Sequence, residues 1–305
     1  MKRAVSISLG SPERDKKVVV DFNGVQISVE RIGTGGDAAK ARRLFAELDG
    51  KVDALSLGGM DYFVRMEGRD YPIHAARRLV QDVQRTPVVD GRVLKYVLER
   101  RVFERAEPFL GGVPHFHCAI IPTSIDRVGL AEAVESVSDK LVIGDLMFTL
   151  GIPIPVWGLA RFKRLARLLL PVVGLLPLSL IVPPGTKGEE YHPKHEQFWR
   201  MADLIAGDMH YILTYSPKDL TGKTVVTNTT TPENMQALRQ RGVRLVLTTT
   251  PVFEGRSFGV NMMEAVLTAF AGKGRELSAQ ELHALIDELD LRPNVFRLDA
   301  QRGTE

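Results

Sequence analysis

Two apolar stretches of this chain run straight into hydroxyl groups, and these carry the most chemical potential in the sequence. Lys223-Thr-Val-Val-Thr ends in Thr227-Asn228-Thr229-Thr230-Thr231, and Val243-Arg-Leu-Val-Leu ends in Thr248-Thr249-Thr250-Pro251. Each reads as a buried strand, and open α/β sheets bind ligands outside the carboxyl ends of their strands. Thr227, Asn228, Thr229, Thr230 and Thr249 are therefore candidate binding residues. Their hydroxyls and backbone amides can hold one phosphate or a polyol at a helix N-terminus. The same segment also fits helix capping, because Thr231-Pro232-Glu233-Asn234 places proline at the first helical position after an N-cap threonine. Asp145 closes Ile143-Gly144-Asp145, and Asp208 closes Ile205-Ala206-Gly207-Asp208. An acid at such a place holds a ribose hydroxyl in a Rossmann unit or caps the next helix. The preceding glycines point to close backbone approach. Asp126, in Pro122-Thr-Ser-Ile-Asp126-Arg-Val-Gly129 between a strand and a helix, is the foremost catalytic candidate.

Metal chemistry has weaker support. His115-Phe-His117 alternates so that both rings share one strand face. His192-Pro-Lys-His195 and His210 complete the candidates, but no spacing matches a ligand signature with an acidic third partner. No metal site is expected. The single cysteine, Cys118, excludes an intramolecular disulfide and a cysteine-based zinc site. That fits a reducing, cytoplasmic setting.

These residues need a sheet to place them. The first part of the chain reads as a mixed α/β unit. Val5–Leu9 is a strand, and Asn23-Gly24 joins Val18–Phe22 to Val25–Arg31 as a hairpin. A helix over Ala38–Leu48, a strand over Val52–Leu57, a helix over His74–Val83, a short strand at Pro87–Val89 and a helix over Val93–Phe103 follow. From residue 113 strands and helices alternate, as a mostly parallel sheet requires. Strands are expected at His117–Ile121, Lys140–Ile143, Ala202–Ile205, Thr224–Thr227 and Leu245–Leu247. Helices are expected over Arg127–Val137, Glu233–Arg241, Phe258–Phe270 and Ala279–Leu289, the last with a capping box from Ser278 to Glu281. The polar tail beyond Arg292 is expected to fray. The expected class is α/β, with an N-terminal mixed-sheet domain over 1–112, a Rossmann-like parallel-sheet domain over 113–275, and a C-terminal helix and tail over 276–305.

The chain has 305 residues, 44% hydrophobic and 25% charged, with a net charge of +3. A pI near 8.9 is only mildly basic and gives no general argument for nucleic-acid binding. Met1–Gly10 lacks a long apolar region and a cleavage site, so it reads as a first strand rather than a signal peptide. The segment 157–184 is different. Leu159, Phe162, Leu165, Ala166, Leu169 and Leu170 share one helical face, with Arg161, Lys163, Arg164 and Arg167 on the other. The uncharged run from Leu168 to Pro183 is shorter than the roughly 20 residues of a spanning helix and contains Pro171 and Pro177. A core or lid helix, a dimer contact and a peripheral membrane helix remain open for it.

Around Asp126 the chain resembles the shikimate/quinate dehydrogenase family. That family carries V-T-x-P-x-K and, further along, N-T-D-x-x-G-x-x-x-A-L. Asp126-Arg-Val-Gly129-Leu-Ala-Glu-Ala-Val134 matches the second segment, and Lys95 in Thr86-Pro87-Val88-Val89-Asp90-Gly91-Arg92-Val93-Leu94-Lys95 matches the first loosely. The Gly-Asp-Leu-Met-Phe and Thr-Asn-Thr-Thr-Thr segments are similar to bacterial proteins labelled quinate 5-dehydrogenase-like. The resemblance implies that Lys95 and Asp126 handle the hydroxyl proton while hydride passes to NAD or NADP. It places Asp145, Asp208 and the threonine loops around the cofactor. Gly255-Arg256-Ser257-Phe258-Gly259-Val260-Asn261 is similar to the start of the family's C-terminal helix. That implies a small-molecule substrate clamped by Arg256 and touched by Asn261 and Ser11. One departure stands out: no G-x-G-x-x-G follows the strand at Leu141–Ile143. The expected function is an NAD(P)-dependent oxidoreductase of a quinate- or shikimate-like hydroxy acid with a non-standard cofactor site. The alternative is a non-enzymatic nucleotide- or phosphate-ligand-binding protein on a dehydrogenase-like scaffold.

Overall fold

The computed structural model describes residues 1–173, 175, 191–250, 252–253, 256–257 and 259–298. The chain is α/β and divides into two compact units, each assembled from separate stretches. The first comprises Met1–Lys95, Leu168–Thr186 and Phe258–Asp290, and the second Tyr96–Arg167, Lys187–Ser257 and Leu291–Glu305. The sequence blocks 1–112, 113–275 and 276–305 run differently. Interleaving follows from the helix Val260–Ala271, which packs mainly on the strands Lys2–Ser8 and Ala54–Gly58 of the first unit.

In the first unit the strands are β1 (Lys2–Ser8), β2 (Lys16–Phe22), β3 (Val25–Gly33), β4 (Ala54–Gly58), β5 (Phe63–Met66), β6 (Arg69–Pro72) and β7 (Val88–Val89). One sheet has the order β2-β3-β1-β4-β7, parallel except at β2. Asn23 and Gly24 turn between β2 and β3 with φ of 49° and 81°, the left-handed pair that a two-residue hairpin demands. β5 and β6 form a separate hairpin that turns at Glu67-Gly68. Met263, Val266 and Leu267 of the Val260–Ala271 helix are buried with Ala4, Val5, Ile7, Leu55 and Leu57, which makes this helix one wall of the core.

In the second unit the strands are β8 (Phe116–Ile121), β9 (Ser138–Ile143), β10 (Val156–Trp157), β11 (Leu204–Ala206), β12 (Thr224–Thr227), β13 (Leu245–Thr248), β14 (Val252–Phe253), β15 (Arg256–Ser257) and β16 (Asn294–Arg297). Seven of them form the order β10-β9-β8-β11-β12-β13-β16, parallel from β9 to β13 with antiparallel edges. The polar Asn294–Arg297 segment is thus an edge strand paired with β13, where fraying was expected. The fully buried Trp199 anchors a core with Ile120, Val142, Phe148, Ile205, Ile212, Val225 and Val246. The chain moves from β8 outward to β9, and then β11 is laid on the other side of β8. The carboxyl ends of β8 and β11 therefore form a topological switch point, the crevice where open α/β sheets place ligands.

The helix Leu159–Val173 buries Leu159, Phe162, Ala166 and Leu170. Leu168 and Val172 are 76% and 63% exposed. Lys163 pairs with Glu132 at 2.8 Å. Residues 174 and 176–184 of the basic amphipathic segment lie outside the described residues. Among the described residues, no helix is long and apolar enough to cross a membrane.

Candidate functional site

The switch point of the second unit is occupied by a buried arginine. Arg127 directly follows Asp126 and leads into the helix Val128–Ser136, on the loop that leaves β8. Its side chain is 3% exposed, and its guanidinium donates to Glu99 Oε1 at 2.6 Å and Asp208 Oδ2 at 2.6 Å. It also donates to Asn228 Oδ1. Glu99, on the helix Arg92–Arg100, is itself buried, whereas Asp208 is half open to solvent. Asp126 stands 4.0 Å from Arg127 Nε. Burial alone would lower the Arg127 pKa, but the charges of Asp208 and Glu99 outweigh it and hold the guanidinium firmly protonated. One cation thus ties together the loop after β8, the end of β11 and the start of the loop after β12.

Two glycines explain how the strand ends come so close. Gly207 has φ of +143°, and a Cβ there would lie 3.2 Å from Pro122 Cδ. A Cβ on Gly144 would lie 2.9 Å from the Pro122 carbonyl oxygen. Close backbone approach was the sequence expectation, and the partner approached is the β8 loop of this same chain. Asp145 accepts from Ser124 N at 2.9 Å and Ile125 N at 2.9 Å, so it pins that loop from the β9 side. Burial, with Asp126 nearby, outweighs those N–H bonds and pushes its carboxyl up to about 7.

The residues predicted from sequence divide by place. Asp126, Asp208 and Asn228 meet at Arg127. Asp208 is the N-cap residue of the helix Met209–Tyr215 but makes no side-chain cap bond, because its carboxylate is turned to the arginine. Thr227 and Thr249 are buried at 1% and 3% exposure, while Thr229 and Thr230 are half-buried in the loop that follows β12. Thr231 performs the capping alone, in a reciprocal box with Asn234. Ser11 caps a short turn by accepting from Glu13 N at 3.1 Å. Asn261 lies in the first unit and donates to Ser6 Oγ at 2.9 Å and Ser56 Oγ at 3.2 Å. The Arg256 side chain lies outside the described residues. Arg127 and Glu99 were missed by sequence reasoning, although Glu99 stands in the otherwise apolar Tyr96-Val97-Leu98-Glu99, a visible irregularity.

His115 and His117 do share a face, and both rings meet Asp139, at 2.9 Å and 3.3 Å, on an exposed surface. Among the described residues, no group of three His, Cys, Asp or Glu side chains is placed to hold a metal ion.

These features define a two-unit α/β protein whose Rossmann-like sheet carries a polar cluster at its switch point. The chain belongs to the family described as "Domain of unknown function (DUF8754)", whose model matches residues 93–298. Residues 3–90 match a second, "Domain of unknown function (DUF8753)". No curated protein matches the chain. Solved structures that it is similar to include GanP, a glucose-galactose binding protein from Geobacillus stearothermophilus, at 12% identity and a TM-score of 0.39, with 99% of each chain covered. A sugar ABC transporter (sugar-binding protein) from Bacillus halodurans is similar at 8% identity and a TM-score of 0.40, with 98% of each chain covered. An ABC transporter periplasmic solute binding protein from Actinobacillus succinogenes 130z, with bound D-allose, is similar at 9% identity and a TM-score of 0.34, with 99% of each chain covered.

Membership of the shikimate/quinate dehydrogenase family, and with it the oxidoreductase assignment, is corrected by these findings. The family models that match are the two named, together spanning residues 3–90 and 93–298, and neither is a dehydrogenase model. Lys95 Nζ donates to Asp61 Oδ2 at 3.2 Å within the first unit.

Proposed function

We propose that the chain is a binding protein for a small uncharged polyol, held at the strand-end crevice of the second unit. The observation that carries this reading is that Arg127 is matched inside the chain. Its guanidinium bonds Glu99 and Asp208, both at 2.6 Å, and Asn228 as well. A guanidinium already neutralised by its own carboxylates offers little to phosphate or nucleotide ligands. That favours a polyol over the phosphate ligand among the binding readings. Carboxylates accept only, so they suit ligands that present hydroxyl donors. Asp208 keeps half its side-chain surface, and Asn228, Thr229 and Thr230 supply further donors and acceptors at the same end of the sheet. A few well-placed polar groups on a preformed scaffold are the usual composition of a small-molecule site.

Isothermal titration of the full chain with a panel of pentoses, hexoses, inositols and inorganic phosphate tests the reading. Binding of at least one neutral polyol, lost in Asp208→Ala and Asn228→Ala, supports it. Polyol binding that both variants retain, or no polyol binding at all, contradicts it.

A further inference from the structure

The first unit carries a cleft lined by basic residues. It has a volume of about 730 Å³ and lies beside the helix His74–Val80 and the edge strand β7. That volume is within the range of small-molecule sites. Arg77, Arg78, Arg85, His74, Phe63 and Glu276 are among its lining residues. Three arginines thus line the cleft with a single acidic residue. Elsewhere in this unit arginines are spent on acids: Arg42 bonds Asp82 at 2.6 Å, and Arg65 bonds Asp70 at 2.6 Å. Among the described residues, Arg77, Arg78 and Arg85 have no carboxylate partner.

The arginines are also positioned before any ligand arrives. Arg77 lies over the Phe63 ring at 5.5 Å, and Arg92 lies over the same ring at 5.0 Å. Arg92 is neutralised by Asp90 at 2.8 Å, so it holds the aromatic floor without competing for an anion. The loop that carries Arg85 is clamped by Asp49, whose carboxylate accepts from Gln84 N at 3.0 Å, Arg85 N at 3.0 Å and Thr86 N at 2.8 Å. The Arg85 side chain lies across Gly50, where a Cβ would stand 3.2 Å from Arg85 Cδ. Gly50 also has φ of +71°, so a larger residue there would be strained as well as crowding Arg85. Burial raises the pKa of Glu276 against the opposing charge of Arg92, which stands 3.8 Å away.

We infer that this cleft binds a small, multiply charged anion of the phosphate class. Arginine forks pair with two phosphate oxygens at once, and unpaired arginines around an aromatic floor are the arrangement that such an anion recognises. The inference stands apart from the polyol site, since its ligand, residues and unit are different.

Titration of the full chain with inorganic pyrophosphate at low salt tests it. Binding is expected, and it should weaken as salt rises. The double variant Arg77→Gln/Arg78→Gln should weaken it by about tenfold or more, the loss of a hydrogen bond to a charged group being about 1.5–3 kcal/mol. Arg42→Gln should leave affinity within about twofold, because Arg42 is already committed to Asp82. Circular dichroism melts establish that each variant folds. If the double variant does not fold, Arg77→Lys keeps the charge and loses the fork, and affinity unchanged by it overturns the inference. Absence of pyrophosphate binding also overturns it, as does an equal loss in Arg42→Gln, which would mark diffuse attraction to a basic surface. Pyrophosphate binding should persist in Asp208→Ala, which keeps the failure of one site distinguishable from that of the other.

Discussion

Removing the buried Arg127 should strongly destabilise the second unit. In Arg127→Met the Glu99 carboxylate, 1% exposed, loses its counter-ion in a place that water does not reach. Breaking a buried pair from one side costs about 3–5 kcal/mol. Asp208 is 51% exposed and rehydrates, so its share is that of a surface pair, below about 1 kcal/mol. Asn228 is half-buried and also recovers water contacts. The expected loss is therefore about 4 kcal/mol, nearly all of it from Glu99. For a unit of this size that lowers Tm by about 10 °C. The double variant Arg127→Met/Glu99→Leu removes both charges and should recover to within about 1–2 kcal/mol of the parent, because apolar replacement of a buried pair is often neutral. Both tryptophans, Trp157 and Trp199, lie in the second unit, so urea denaturation followed by tryptophan fluorescence reports on that unit. A single variant that loses less than about 1 kcal/mol, or a double variant as unstable as the single one, would refute the reasoning.

Three further outcomes are expected. Glu264 is buried at 1% exposure on the helix Val260–Ala271, and burial, with Asp90 nearby, raises its carboxyl from 4.5 to about 8 although it accepts from Leu94 N. Between those values the folded chain binds the proton and the unfolded chain does not, so stability falls as pH rises through this window. Each pH unit corresponds to at most about 1.4 kcal/mol. Glu264→Gln keeps the acceptor and should flatten the slope in circular dichroism melts between pH 5 and pH 8. Glu276 and Asp145 lean the same way, so some slope persists, and an unchanged slope would remove Glu264 as its source. Thr231→Ala loses the reciprocal cap and should cost about 1 kcal/mol in urea denaturation, whereas Thr230→Ala costs under about 0.5. Leu168→Ser and Val172→Ser, at exposed positions, should each change stability by less than about 0.5 kcal/mol, and a larger loss would mean that these side chains are covered.

Local chemistry made much of the scaffold legible. Asn23-Gly24, the Thr231 cap and the Ser278 box are short-range signals, and each turn or cap formed where its residues predicted. The α/β class with a mixed sheet and a parallel Rossmann-like sheet followed from alternating apolar runs. What failed depended on partners distant in sequence. Asn294–Arg297 reads as a polar tail, but its backbone completes the ladder of β13, and an edge strand needs no apolar pattern. The β5–β6 hairpin contains Arg69, Asp70 and Pro72, which hide its strand character, while Glu67-Gly68 supplied a turn signal. The helix expected over Val93–Phe103 is two helices, parted at Arg101, whose φ of −105° and ψ of 11° leave the helical range. At the crevice, aspartates and threonines drew notice because their types suggest chemistry. Arg127 and Glu99 drew none, since only the fold brings a buried carboxylate on the helix Arg92–Arg100 to a buried guanidinium on the β8 loop.

The most direct test of the central claim is calorimetric titration of a neutral polyol panel into the parent chain and the Asp208→Ala variant under identical conditions. The account predicts a saturable heat with at least one polyol in the parent, and loss of that polyol signal in the variant. Equal polyol binding by parent and variant, or binding abolished by no change at Asp208 or Asn228, would contradict a ligand site built on Arg127.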